Sequence, residues 1–295
     1  MTNVSAIEGR LVVPVLLVLG PLRVEGLDGG VPLGGVRPRR LLAALALQAG
    51  QAVSCDRLAD VVWEGCPPRS ARQNLQTYVW SLRRALARAG EQGPAIVAGA
   101  GGYLLRAGPR ATDWDRFCWL SQAAARCLAA DPAASAGLLA QALGLWRGRV
   151  LADVADGMPA LAPQVAAMEE ARLAALEQRV DAELAAGHGE QLAAELAGLA
   201  AAYPLRERFR AQRMLALYRA GRQAEAMAEF HALRALLDAE LGVLPCAEVT
   251  RLYQAILRAD PRLSGDGRPD LNHATIVAAG RGPAEPATVR RPKAR

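Results

Sequence analysis

The sequence predicts a mainly α chain in two parts: a small unit mixing short strands with three helices, then an all-helical unit. Three observations lead there. Alanine, leucine and arginine dominate, and aromatics make up only 4% of 295 residues, a composition that favours helix. Short β-rich runs broken by glycine and proline are confined to the first 110 residues. Helical stretches cut by short Gly, Pro and Asp turns then run from Asp113 to about Asp260. The length suffices for two domains with their own cores.

Residues 15–34 read as small antiparallel strands, punctuated by Gly20-Pro21 and Asp28-Gly29. A first helix starts near Pro38 and turns Leu41, Leu42, Leu45 and Ala46 inward, with Gly50 past its end. Ser54 is placed to cap a second helix, whose apolar side is Leu58, Val61, Val62 and Trp63; Gly65 and Pro67-Pro68 break it. Ser70 is placed to cap a third helix over 71–89, in which Leu75, Val79, Leu82 and Leu86 form one stripe. A hairpin follows, Ile96-Val97 and Tyr103–Arg106 flanking the glycine-rich residues 99–102. Helix, helix, long basic helix and hairpin is the element order of a winged helix-turn-helix. In the second unit, Ala186-Gly187 and Ala220-Gly221 lie 34 residues apart, the tetratricopeptide period, which predicts a short helical solenoid. The expected divisions are 10–110, 111–262 and a Pro/Gly/Arg-rich tail over 263–295 without periodicity, which reads as disordered.

Charge separates the two units. Residues 10–110 hold 13 arginines against six acidic residues, a net +7; residues 111–262 hold 16 against 19, a net −3. A basic module beside a mildly acidic one fits a DNA reader joined to a protein-contact domain, and implies that the reader could work alone. The tail ends in RRPKAR, Arg290–Arg295, which reads as a solvated terminus in preference to the alternative, an addition to nonspecific DNA affinity. The five scattered cysteines and three isolated histidines make no zinc site or disulfide framework. Nothing resembles a phosphate-binding glycine loop, a dinucleotide fingerprint or a metalloprotease helix, so neither an enzyme nor a cofactor is expected. The apolar run Leu11–Leu19 is about half a membrane span and contains Pro14. It is no membrane helix, and its flanks lack the marks of a signal peptide, so the expected location is cytoplasmic, on the nucleoid.

The side of helix 71–89 opposite its apolar stripe carries Gln73, Thr77, Trp80, Ser81, Arg84 and Arg88, flanked by Arg72, Gln76 and Arg83 and by Asn74 and Tyr78. Amides suit adenine, guanidiniums suit guanine or phosphate, and hydroxyls suit either, so this face is equipped for the major groove. Arg37, Arg39 and Arg40 by the first helix are candidates for phosphates. His188 and His231 read as surface or packing residues, and Trp119 and Trp146 as core aromatics.

The combination of VLGPLRV, VPLGG, QAVSCDRLADVVW, PPRSARQNLQTYVWSLRRAL and GYLLR, followed by ALGLWRG, PLRERFRAQRMLALYRAGRQAEA, LLDAELGVLP and ILRADP, resembles the Streptomyces antibiotic regulatory proteins (SARPs). The likeness runs from about residue 15 to 262. It implies an OmpR-like winged helix, of the kind found in two-component output domains, joined to a bacterial transcriptional activation domain. The implied function is pathway-specific activation of antibiotic or secondary-metabolite biosynthesis. Tandem protomers or a dimer would bind direct repeats of double-stranded DNA near a −35 element and recruit RNA polymerase with its sigma factor. By the same resemblance Asn74, Tyr78, Arg83 and Arg84 are DNA contacts, with Gln73 and Ser81 altered ones.

The chain departs from the family pattern twice. Members usually carry Ser-Arg where it has Trp80-Ser81, and the wing commonly has Thr-Arg or similar where it has Ala98-Gly99. These departures favour an alternative, a protein-interaction scaffold or antagonist whose winged helix has lost strong DNA binding. The net charge of +7 speaks against it. Trp80, stepped 100° per residue from the apolar stripe, is expected to face away from the core.

Overall fold

The computed structural model describes residues 16–26, 29–89, 93–99, 101–108 and 111–263. The expected disordered tail beyond residue 263, and the apolar run before Leu16, lie outside these residues. The chain opens with a three-stranded antiparallel sheet of β1 (Leu16–Leu17), β2 (Arg23–Gly26) and β3 (Gly29–Gly30), with Leu16 opposite Val24 and Glu25 opposite Gly30. Three helices follow: α1 (Val36–Ala46), α2 (Cys55–Val62) and α3 (Ala71–Leu86). The hairpin β5 (Ala95–Gly99) and β6 (Gly102–Arg106) completes a winged helix-turn-helix.

Local chemistry accounts for the boundaries. Helix α1 starts two residues before Pro38, which therefore lies in the first turn, where a missing N–H leaves no hydrogen bond unmade. Ser54 has the extended backbone of an N-cap (φ −64°, ψ 151°), and its Oγ accepts from Arg57 N–H at 3.2 Å. Ser70 does not cap α3 as expected. Its backbone is not extended (φ −85°, ψ 8°), and its Oγ instead accepts from Asn74 Nδ2 at 3.2 Å. The α-helix ends at Leu86, and a 3₁₀ turn, Ala87–Ala89, finishes the expected span.

A further strand, β4 (Val53–Ser54), pairs with β6 and so joins the wing to the start of α2. Two residues are too few to leave a periodic signal. The crossing is tight: a Cβ on Gly102 would sit 1.9 Å from the carbonyl oxygen of Val53.

The second unit is helical: α4 (Asp113–Cys127), α5 (Pro132–Leu143), α6 (Ala162–Ala185), α7 (Gly189–Ala202), α8 (Glu207–Arg219), α9 (Gln223–Leu241) and α10 (Ala247–Leu257). The 34-residue offset is visible in its turns. After α6, Ala186, Gly187 and His188 donate to the carbonyls of Ala182, Leu184 and Glu183; after α8, Ala220, Gly221 and Arg222 donate to Ala216, Tyr218 and Leu217. Every bond recurs 34 residues later. Gly187 and Gly221 both adopt the left-handed backbone, at φ +89° and +74°, that lets such a turn close a helix.

One stretch expected to be helical is not. Residues 145–161 hold only 3₁₀ turns because their backbone is bonded to the N-terminal segment. Arg147 and Leu151 N–H donate to the carbonyls of Leu19 (2.7 Å) and Val18 (3.1 Å), and Leu22 N–H donates to Asp153 Oδ1 (2.7 Å). At the start of α4 the carboxylate of Asp113, 1% exposed, accepts from Val18 N–H (2.7 Å) and Leu19 N–H (3.0 Å), with Arg147 Nη2 at 3.4 Å. Burial pushes the Asp113 carboxyl up, and those N–H groups and Arg147 pull it back.

The hydrophobic core ignores the reversal of charge near residue 110. One continuous cluster runs from Leu16 and Val18 through α1–α3 and Leu105 to Phe117, Leu139, Trp146, Met168 and Ala175. A second starts at Val180 and ends at Ile256. Helix α6 spans both. Trp146 is a core aromatic, 5.5 Å edge-on to Phe117, and Trp119 packs half-buried against the same core. His188 and His231 are exposed.

Candidate nucleic-acid interface

Helix α3 buries Ala71, Leu75, Val79, Leu82, Ala85 and Leu86 against α1, α2 and β5. The opposite side exposes Arg72, Gln73, Gln76, Thr77, Trp80, Ser81, Arg83 and Arg84, continuing to Arg88. From Cys66 to Ala89 the sequence has five arginines and no acidic residue. A convex helical ridge with this charge can enter a groove lined by phosphates.

The expected contacts divide by what already holds them. Gln73, Trp80, Ser81 and Arg84 are exposed, and the Arg84 guanidinium lies over the Trp80 ring at 4.8 Å. Thr77 Oγ1 donates to the Gln73 carbonyl (3.2 Å), and Asn74 is half-buried on Ser70. Tyr78 is half-buried and stacks on Trp63, centroids 6.1 Å apart; Arg37 sits over the same indole at 5.9 Å. Arg83 donates its Nε–H to the carbonyl of Ile96 (2.8 Å), which pins the helix to the wing.

Arg39 and Arg40 are engaged within the protein. Arg39 bonds Asp153 through Nε (2.8 Å) and the carbonyl of Leu22 (2.9 Å), and Arg40 pairs with Glu64 at 2.6 Å. Arg72, Gln76 and Arg88, which helical spacing sets on or beside this face, are all exposed on the ridge. Arg72 pairs with Asp56 at 2.9 Å on the open surface, a weak bond that phosphate can displace. The partnership of Arg39 with Asp153 spans 114 residues, and no local signal announces it. Among the described residues no group of His, Cys, Asp or Glu is placed to hold a metal ion, and no helix is long and apolar enough to cross a membrane.

Comparison with known proteins matches this geometry. The family model "transcriptional regulatory protein, C terminal" covers residues 34–105, and "bacterial transcriptional activator domain" covers 112–257. Regulatory protein DnrI of Streptomyces peucetius is 39% identical over 268 residues, spanning 88% of this chain and 98% of DnrI. Transcriptional regulator RedD of Streptomyces coelicolor is 38% identical over 249 residues, 83% of this chain and 71% of RedD. The structure of Mycobacterium tuberculosis EmbR in complex with a low-affinity phosphopeptide superposes with a TM-score of 0.78 at 30% identity, covering 83% of this chain and 65% of that one.

A winged helix-turn-helix bearing a basic outer helix, continued by a bacterial activator domain, defines a DNA-binding transcriptional activator. Within that class, the chain belongs to the SARP family, with DnrI and RedD.

Proposed function

We propose that the chain activates one antibiotic or secondary-metabolite biosynthetic pathway by seating α3 in the major groove of direct repeats near a −35 element. It works in the cytoplasm, on the nucleoid, as tandem protomers or a dimer. The observation that carries this reading is the exposed arginine-bearing ridge of α3, on a segment with no acidic residue from Cys66 to Ala89, opposite a buried stripe. Gln73, Thr77, Ser81 and Arg84 meet base edges or backbone, with Trp80 beside Arg84 on the same face and Asn74, Tyr78 and Arg83 at the rim. Arg37, with Arg72 and Arg88, faces phosphates. Arg39 serves the domain junction instead, and Arg40 the pair with Glu64 within the reader.

Recruitment of RNA polymerase and its sigma factor falls to the helical part. There Tyr203, Leu205, Leu241, Val243 and Leu244 are all exposed. The turns that carry them adjoin, since Glu207 Oε2 accepts from Cys246 N–H at 2.7 Å. An apolar surface of this kind marks an interaction site. Leu244→Asp should reduce transcription in vitro at saturating promoter occupancy without changing that occupancy; an unchanged transcript yield would remove this surface from recruitment.

The reading as a whole is tested by sequencing genomic fragments that co-purify with the full chain. A shared repeat upstream of a few promoters is expected. Recovery of fragments without a common sequence would favour the scaffold reading, which draws its support from the internal engagement of Arg39, Arg40 and Arg83.

A further inference from the structure

Trp80 is 60% exposed, more than any other aromatic among the described residues. It sits midway along the ridge of α3, with Gln76 and Thr77 one turn before it and Arg83 and Arg84 one turn after. The Arg84 guanidinium carbon lies 4.8 Å from the centre of its ring, at the distance of a cation–π contact. Stacking uses the face of a guanidinium and leaves its N–H edge available, and it withdraws rotamer freedom from a long side chain. Bidentate contact with guanine O6 and N7 needs a planar fork held in place with its edge outward. Arg83, its neighbour, differs: its Nε–H is committed to the Ile96 carbonyl.

We propose that Trp80 is the positioning residue for Arg84, and that the stacked pair reads one guanine in the operator. The inference deepens the DNA-binding reading above and rests on it. Trp80 acts through Arg84 by holding the plane of the guanidinium, and the absence of acidic residues from Cys66 to Ala89 leaves DNA as the complementary occupant of the ridge.

The test uses the full chain and the duplex it enriches from a random-sequence pool. Affinity is measured over a salt series for the wild type, Trp80→Ala, Trp80→Phe, Arg84→Ala, Arg84→Lys and the double variant Trp80→Ala/Arg84→Ala, with thermal melts of each. Arg84→Ala should weaken binding by about 5- to 150-fold, the range of one bidentate base contact, and lose the preference for guanine at one position. Arg84→Lys, which keeps the charge but not the fork, should lose the same preference. Trp80→Ala should relax that same position with its melting temperature and salt slope unchanged, and Trp80→Phe should restore most of it. The double variant should bind no worse than Arg84→Ala alone.

Losses that add in the double variant would mean that Trp80 contacts DNA in its own right, and would overturn the pairing while leaving the DNA-binding reading intact. Trp80→Ala with unaltered guanine preference would do the same. A wild-type chain that enriches no sequence would overturn both.

Discussion

Arginine plays opposite roles in two regions of this molecule. At the junction between reader and helical part, Arg39 and Arg147 are partly buried, aimed at Asp153 and Asp113, and bonded to the carbonyls of Leu22 and Pro21. On α3 and the 3₁₀ turn that follows it, Arg72, Arg84 and Arg88 are exposed on a segment without a carboxylate of its own. The first set stitches the protein together and is unavailable to a ligand. The second is left facing solvent, at a cost in self-repulsion that a polyanion would relieve. Counting arginines therefore overstates the reader's capacity for phosphate; what matters is which of them the fold has already used.

The harshest way to break the contrast is to cut through the junction. A fragment ending at Arg110 loses Phe117, Leu139, Trp146, Leu151 and Met168 from the core it shares, together with the partners of Val18, Leu19 and Leu22. The charge reversal implied a reader able to work alone; the continuous core leads to the opposite expectation. Such a fragment should show no cooperative thermal unfolding and negligible specific binding, as read by near-ultraviolet circular dichroism and an electrophoretic titration.

Asp113→Ala should be the most damaging single change at the junction. It leaves two buried N–H groups without an acceptor, each worth about 1–3 kcal/mol, and a denaturant titration should record a loss of about 3 kcal/mol. Gly102→Ala comes next, by about 2 kcal/mol in the same measurement, since a methyl cannot lie 1.9 Å from the Val53 carbonyl oxygen without parting β4 from β6. The comparison sharpens most with the smallest effects. Arg39→Ala should lower the melting temperature and leave the salt slope of DNA binding alone. Arg88→Ala should leave stability within about 0.5 kcal/mol and reduce that slope by about one unit.

Much of the reader was legible because its signals are local. The Leu75, Val79, Leu82 stripe fixed the face of α3, and the outward direction of Trp80 followed from it. The pair of Ala-Gly turns located equivalent helix ends in the solenoid. What escaped was non-local. Residues 145–161 carry helix-forming composition, but the N–H groups of Arg147 and Leu151 are claimed by Leu19 and Val18, just after β1. Trp63 was assigned to the apolar side of α2, while its stacking on Tyr78, which draws that residue half out of the reading face, depends on how two helices dock. Ser54 and Ser70 look alike in sequence and differ in backbone angle, so capping chemistry alone could not rank them.

Helix α6 places Met168 and Ala175 in the first core and Val180 and Leu184 in the second. At 24 residues it is about 36 Å long, and it is a covalent beam common to both halves. Anyone wishing to transplant the DNA specificity of this regulator onto a relative should not cut at the seam between the two sequence families near residue 110. The graft that respects the packing either exchanges the outward residues of α3 alone, or carries everything through Ala175 and makes its splice inside a helix.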